Sequence, residues 1–326
     1  MNAPQRVYLE TFLAPLAPYL ERADVTDLYI NRPGEIWLET RTGTERHDAP
    51  ILDDPLLWRL ARQIAASSDQ GINREHPLLA STLPGGARIQ ICAPPATRGN
   101  LIVAIRKHSM PDLRLADYED SGAFDRLGDA AIKRNAVDDM LRGLLADKQT
   151  LAFLSAAVQA RRTVVISGGT GTGKTTFLNA LLKEAPAGER FVLIEDTPEI
   201  QLHHENSVGL IAVRGKLGEA AVTPGDLVEA ALRLRPDRII MGEIRGAEAI
   251  DWLRAVGTGH PGSITTVHAN SPEGAVEQLA MMSMSAGTEL GRRELVDYIK
   301  ATVDVFVHLA NEDGKRIVSQ VQYGVP

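Results

Sequence analysis

The sequence holds a single cysteine, Cys92, set in an apolar run. One thiol excludes an internal disulfide framework and a multi-cysteine zinc site. Cys92 reads as a small core side chain, because free cysteine is among the most buried residue types. Aromatic residues make up only 5% of the chain, few for the stacking platforms that hold single-stranded nucleic acid. Basic charge is short as well. The 35 Lys and Arg are outnumbered by 42 Asp and Glu, giving a net charge of −7. No segment is strongly basic, which argues against a duplex-DNA reader built on many phosphate contacts. No run approaches the ~18 uncharged apolar residues that a membrane span needs. Glu10 follows the first apolar residues and Pro15 and Pro18 break the next, so no secretory leader is expected. The expectation is a cytoplasmic protein whose contact with any membrane is peripheral.

What is present suits two domains, each able to bury a core: 326 residues, of which 44% are hydrophobic. Residues 1–108 read as a small α+β domain. Val25 to Ile30 and Glu35 to Thr40 flank the turn cluster Asn31-Arg32-Pro33-Gly34, which predicts a hairpin. Leu56, Leu57, Leu60 and Ile64 recur at helical spacing. Ala87 to Ala93 and Asn100 to Arg106 read as strands around Pro94-Pro95. Residues 109–150 are acidic, carry Pro111, Gly122 and Gly128, and read as a linker with short helices. From residue 151 to 326, helices and short β-branched strands alternate, which predicts a largely parallel sheet covered by helices. Asp226, with Glu229 three residues on, reads as a helix start, and Pro236 ends that helix near Arg235. Met281, Met282 and Met284 read as helix packing.

The chemistry begins where the strand Val164-Val165-Ile166-Ser167 runs into Gly168-Gly169-Thr170-Gly171-Thr172-Gly173-Lys174-Thr175, followed by Thr176. This is G-x-x-x-x-G-K-[ST] between a strand and a helix, the setting of a phosphate-binding loop. Glycines let backbone amides approach phosphates, and the helix N-terminus adds partial positive charge. Lys174 is placed to reach the β- and γ-phosphates of ATP, and the Thr175 hydroxyl to bind Mg²⁺. Glu195, in Ile194-Glu195-Asp196-Thr197-Pro198-Glu199, ends a strand and faces the ligand crevice. Glu243 ends the buried run Ile239-Ile240-Met241-Gly242, the Walker B position, and is suited to polarise the attacking water. Gly242 stands where many P-loop enzymes place a Mg²⁺-linked Asp. The structural alternative for Glu243 is an ion pair with Arg245 or Arg238. Glu243 is preferred as general base, with Glu195 as rival or helper. His260 and His268, in the Gly/Thr-rich segment Gly257 to Asn270, are candidates for sensing the γ-phosphate; His203 and His204 are assigned nothing.

Together these motifs resemble the type II/type IV secretion ATPase family, hexameric RecA-like motors of secretion, conjugation and pilus machinery. The P-loop resembles its Walker A motif, Ile194 to Glu199 its Asp box, Arg238 to Arg245 its Walker B motif and Gly257 to Asn270 its His box. Asn31 to Glu35, Gly86 to Ile91 and Val103 to Lys107 look like the type IV secretion, or conjugal transfer, branch. The resemblance covers about residues 20 to 310. It implies a RecA-like P-loop NTPase C-terminal domain, a smaller PAS-like N-terminal domain and ATP between them. It also implies a homo-hexamer working with inner-membrane components of a type IV secretion system on transported DNA or protein. In that branch two N-domain arginines approach the nucleotide, and the matching positions are Arg88 and Arg106. Ala87 stands where the branch commonly has Glu. The alternatives within reach of the same core are a pilus assembly or retraction motor, a type II secretion motor, and a nucleic-acid translocase or helicase.

Overall fold

The computed structural model describes residues 9, 11–107, 114–213 and 219–324. In the N-terminal part six strands form one sheet: β1 (Val25–Ile30), β2 (Gly34–Thr40), β3 (Gly43–Ala49), β4 (Leu78–Thr82), β5 (Arg88–Cys92) and β6 (Ile102–Arg106). Their order is β3-β2-β1-β6-β5-β4, and every neighbouring pair is antiparallel. The β1–β2 hairpin turns where the sequence places it. Gly34 there has φ of 87°, a left-handed conformation that glycine adopts without a Cβ penalty.

Both faces of this sheet are covered. Leu28, Ile30, Ile36, Leu38, Val103 and Ile105 pack against Leu57, Leu60 and Ile64 of α1 (Asp54–Ser67). Asp53 caps α1 by accepting from the Leu56 amide at 2.8 Å, a contact worth about 1 kcal/mol. The residues between them on the strands, Tyr29, Trp37, Cys92, Ile102 and Ala104, face the other way. They share one buried cluster with Val208, Leu210, Leu227 and Leu234 of the C-terminal part. Cys92 is fully buried, and burial pushes its thiol up to about 12.

The C-terminal part is a seven-stranded sheet in the order β13-β12-β7-β11-β10-β8-β9. Its strands are β7 (Val164–Gly168), β8 (Phe191–Glu195), β9 (Ser207–Ile211), β10 (Arg238–Ile244), β11 (Ile264–Val267), β12 (Val305–Glu312) and β13 (Lys315–Tyr323). All neighbours are parallel except the terminal β12–β13 hairpin. Alternate residues again choose the layer. Val164, Ile166, Phe191, Leu193, Ile240, Val305 and Val307 meet α3 (Thr150–Gln159) and α4 (Lys174–Leu182). Val165, Val192, Ile194, Ile239, Met241 and Phe306 meet α5 (Pro224–Arg233), α6 (Glu248–Gly257), α7 (Pro272–Met284) and α8 (Arg292–Thr302). A parallel sheet buried on both faces explains strands that read as unbroken apolar runs.

Three sequence expectations are corrected here. Residues 109–150 hold more than short helices: α2 (Asp129–Ala146) has 18 residues, and its Leu141 is buried with Phe153 and Leu178. Thr223, not Asp226, caps α5. The Thr223 hydroxyl accepts from the Asp226 amide at 3.1 Å while the Asp226 carboxylate accepts from the Thr223 amide at 2.8 Å, a reciprocal box. Of Met281, Met282 and Met284, the first and last are exposed, and Met282 packs against the core.

Buried charge also joins the two parts. The Arg190 guanidinium donates to Asn31 Oδ1 at 2.8 Å and to the Leu234 carbonyl at 2.9 Å, and it lies 4.0 Å from the centre of the Tyr29 ring. Burial lowers its pKa to about 10. Asn31 in turn donates to Asn206 at 3.0 Å. Asn31, the first residue of the Asn-Arg-Pro-Gly-Glu motif, is therefore an interdomain contact.

Candidate active site

The cleft at the carboxyl end of β7 is assembled from the motifs read in the sequence. β7 enters it, the loop 169–173 turns, and α4 leaves with Lys174 as its first residue. Gly171 and Gly173 hold φ of 78° and 89°, left-handed conformations that a Cβ would strain. A Cβ on Gly168 would stand 2.7 Å from the Leu309 carbonyl of β12, so the loop needs glycine there for packing. The opening measures about 350 Å³. Gly171, Gly173, Lys174, Thr175, Thr176, Glu195, Asp196, Glu199, Gly242, Glu243, Arg245 and Arg316 line it, among others. Gly169, Thr170 and Thr172 complete the loop. The Thr172 hydroxyl donates to the Gly169 carbonyl at 2.9 Å, bracing the turn.

Lys174 is nearly buried, and its ammonium donates to the carbonyls of Gly168 and Gly169 at 3.1 and 3.2 Å. Burial lowers its pKa, and the nearby Glu243 carboxylate acts in the opposite sense. His268 Nδ1 lies 3.4 Å from the ammonium, and His268 Nε2 lies 2.7 Å from Glu243 Oε1. These two neighbours fit one neutral tautomer: Nδ1 accepts from Lys174, and Nε2 carries the proton toward the carboxylate. The second contact is close but poorly directed. Glu243 Oε1 is buried and accepts from no well-aligned donor among the described residues. Glu243 Oε2 accepts from Arg245 Nε at 2.7 Å, and Arg245 Nη1 reaches Asp196 at 3.4 Å. Of the two ion pairs open to Glu243 in the sequence, the one with Arg245 forms. Arg238 is fully buried and engages Glu189 and the carbonyls of Val158 and Gly262 instead.

Glu195 is differently placed. Its Oε1 accepts from the amides of Glu199 and Ile200 at 2.9 and 2.8 Å, and its Oε2 is paired with Arg98. A Cβ on Gly242 would lie 3.2 Å from Glu195 Cγ. The absent Walker B side chain thus leaves the space that Glu195 occupies. Both oxygens of Glu195 are thus held by directed donors, while Glu243 Oε1 has no well-aligned donor among the described residues.

Three expected site residues lie elsewhere in the chain. His260 precedes β11 by four residues, and β11 begins at Ile264 opposite Val164, the start of β7. It therefore sits at the end of the sheet remote from the P-loop, with Nδ1 against the Ala255 carbonyl at 3.0 Å. Arg88 and Arg106 face each other across β5 and β6. They line a separate cavity of about 460 Å³ with Asp27, Arg233 and Arg235, on the side where β10 begins rather than where it ends. ATP at the P-loop is consequently not sandwiched between the two domains of one chain by these arginines.

The sequence reading missed Arg98 and Arg316, and gave Arg245 only as an ion-pair partner of Glu243. Arg316 comes from the β12–β13 hairpin and lies over Gly173, with its Cδ 3.2 Å from the position of a Cβ there. The Asp313-Gly314 pair was an available hairpin signal for that strand.

The comparisons with known proteins agree with this geometry. The pattern of the family "Type II/IV secretion system protein" matches residues 10–317. The type IV secretion system protein VirB11 of Brucella suis is 38% identical over 320 residues, covering 95% of this chain and 89% of its own. The type IV secretion system protein PtlH of Bordetella pertussis is 37% identical over 339 residues, covering 99% and 98%. The crystal structure of the Brucella suis VirB11 ATPase in complex with sulphate superposes with a TM-score of 0.91 at 35% identity, covering 98% of this chain and 95% of that one. An α/β fold with a RecA-like P-loop core, all four motif boxes in order and a full-length match converge: the chain belongs to the type II/IV secretion system protein family.

Proposed function

We infer that this chain is the ATP-hydrolysing motor of a type IV secretion system. The observation that carries the reading is the chain of contacts from the P-loop lysine through His268 to the Walker B carboxylate. In this reading a phosphate-binding cation and a proton acceptor stand on opposite sides of one imidazole.

Phosphoryl transfer needs positioning and charge stabilisation more than covalent help. The loop amides and the start of α4 receive the phosphates. Lys174 exchanges its two carbonyl partners for phosphate oxygens, which offer it full negative charge. Glu243 accepts a proton from the attacking water. His268, held between Lys174 and Glu243, is placed to register whether a γ-phosphate has drawn the lysine away. Thr175, Asp196 and Glu199 line the same cleft and are the hard oxygen donors that Mg²⁺ prefers. When bound, Mg²⁺ would offset the charge on the β- and γ-phosphates, with the Thr175 hydroxyl as its protein ligand. Among the described residues no three acidic, His or Cys side chains form an ion cage; Mg²⁺ typically relies on substrate phosphates and water for the rest of its shell.

The family resemblance assigns Arg88 and Arg106 to the nucleotide, yet within one chain they face another cavity. Among the described residues neither makes an ion pair, and both are exposed. Asp27 stands opposite Arg106 on β1, but the cavity that also holds Arg88, Arg233 and Arg235 keeps more cations than anions, and like charges across adjacent strands favour a further anion. A homo-hexameric ring supplies it: the arginines of one subunit meet the nucleotide of the next, across the head-to-tail contact that closes a ring. In this reading residues 1–108 form the domain that presents the arginines, 109–150 the linker and 151–326 the ATPase domain. No described helix is long and apolar enough to cross a membrane. The ring is proposed to work at the cytoplasmic face of the inner membrane against membrane components of the machine, on DNA or protein cargo.

Two experiments test this. Sedimentation with a slowly hydrolysed ATP analogue is expected to show six-membered rings favoured by nucleotide, because a ligand that bridges subunits stabilises their association. Only monomer at micromolar protein and saturating analogue would remove the ring. Arg106→Ala alone is expected to lower turnover roughly 10- to 100-fold, below the range of a true arginine finger. Mixing it with inactive Lys174→Ala subunits is expected to raise turnover above the sum of the parents, since complete sites form where an intact P-loop meets an intact Arg106. Strict additivity would place Arg106 outside its neighbour's site.

A further inference from the structure

The N-terminal part reaches the cleft at one point, by a route that the sequence motifs do not contain. Between β5 and β6, residues 96–98 lie antiparallel along β9, the edge strand of the ATPase sheet. Thr97 stands opposite Leu210, the Ile211 amide donates to the Ala96 carbonyl at 2.9 Å, and the Arg98 amide donates to the Gly209 carbonyl at 3.1 Å. A short strand from the other domain thus covers an edge that would otherwise be open.

From there the Arg98 side chain crosses β9 at Gly209. A Cβ on Gly209 would lie 2.5 Å from Arg98 Cδ and 2.9 Å from Cγ. Glycine inside a strand commonly marks such a close approach. The guanidinium ends on Glu195 and on the Ile200 carbonyl at 2.8 Å. Glu195 binds the amides of Glu199 and Ile200, which fixes the turn 196–200. Asp196 in that turn meets Arg245, and Arg245 holds Glu243. Contact is unbroken from an N-domain loop to the carboxylate that faces the reacting water.

We propose that Arg98 is a positioning residue for ATP hydrolysis, which sets Glu243 through Glu195, Asp196 and Arg245 and so makes turnover depend on how the N-domain loop is seated on β9. The proposal rests on the nucleotide reading above. Arg98 touches no phosphate; its effect belongs in kcat and not in substrate binding.

The test compares Arg98→Ala, Arg98→Lys, Gly209→Ala and the double variant Arg98→Ala/Gly209→Ala, with Lys174→Ala as control. Arg98→Ala is expected to lower kcat roughly 10-fold, the scale of coupling carried by residues that contact neither ligand, with KM for ATP changed less than about 3-fold by the same reasoning. Arg98→Lys keeps the charge and is expected to recover part of the loss. Gly209→Ala displaces the Arg98 stem and is expected to reproduce the loss. In the Arg98→Ala background it is expected to add nothing, because the collision is gone. A merely structural contact predicts lowered thermal stability with normal kcat in the surviving protein, and that result overturns the proposal. So does a loss confined to KM, or full additivity of the two substitutions. If Arg98→Ala does not fold, Arg98→Lys and Gly209→Ala decide by the same criteria. An inactive Lys174→Ala beside a fully active Arg98→Ala rejects this proposal alone, whereas an active Lys174→Ala rejects the nucleotide reading itself.

Discussion

Glu243→Gln is expected to bind ATP and to hydrolyse it roughly 10²- to 10⁴-fold more slowly, the range of a lost general base. The amide keeps the shape of the carboxylate and its contact with Arg245, but it cannot take a proton. The geometry gives the reason for choosing this carboxylate. One oxygen of Glu243 is saturated by Arg245, while the other is buried, close to His268 Nε2 and without a well-directed donor among the described residues. An oxygen so placed has a lone pair for an incoming water. Glu195 is more fully engaged, because two backbone amides hold one of its oxygens and Arg98 the other. Glu195→Gln is expected to weaken turnover less, through a loosened 196–200 turn. Single-turnover rates and ATP affinity, measured side by side on both variants, separate the two. A larger rate loss in Glu195→Gln reverses the assignment.

The readable part of the site is the part whose chemistry is local in sequence. A strand, four glycines, Lys174 and Thr175 must be contiguous to cradle a phosphate, so the P-loop declares itself. Glu243 is legible for a similar reason: a carboxylate ending a buried parallel strand faces the crevice. His260 and His268 share one motif and look equivalent in the sequence. The four-residue strand β11 then carries them to opposite ends of the sheet, a rise of about 3.3 Å per residue that spacing alone does not assign to a direction. Arg88 and Arg106 come from the family resemblance alone, and the structure sets them opposite each other across β5 and β6. Which subunit they serve depends on domain placement, which strand patterns do not encode. Arg98 was missed because its partners are Glu195, Ile200 and Gly209, about a hundred residues away. The nearest clue was Gly209 between apolar neighbours. The length of α2 was not legible because much of it is exposed, with the apolar Ile132 and Met140 among its exposed residues, which blurs the apolar period on which a helix is recognised.

Lys174→Ala is expected to abolish ATPase activity while the protein stays folded. In the proposed reading the lysine meets phosphate through a single ammonium, and the other side chain on these carbonyls, the Thr172 hydroxyl on Gly169, carries no charge to take its place. A P-loop without its lysine loses the cation that draws the β- and γ-phosphates into line. The effect on stability has a sign that follows from burial. Lys174 is nearly buried, and desolvation lowers its pKa in the folded state. A base with a depressed folded pKa binds protons more readily when unfolded, so it costs stability while protonated, and stability recovers as pH rises through that folded pKa. Removing the side chain removes this cost but also takes a donor from the Gly168 carbonyl, the Gly169 carbonyl keeping the Thr172 hydroxyl. The two effects oppose each other, so the net change at neutral pH is expected to be small. Relative to the variant, the wild-type chain is expected to gain stability as pH is raised through the folded pKa of the lysine toward its higher unfolded value. The measurement is thermal unfolding across that pH range, with and without ATP. Wild type is expected to be stabilised by ATP, through binding to the folded state alone, and the variant is expected to lose that shift together with its turnover. Wild-type turnover in pure Lys174→Ala protein would reject the P-loop as the catalytic site.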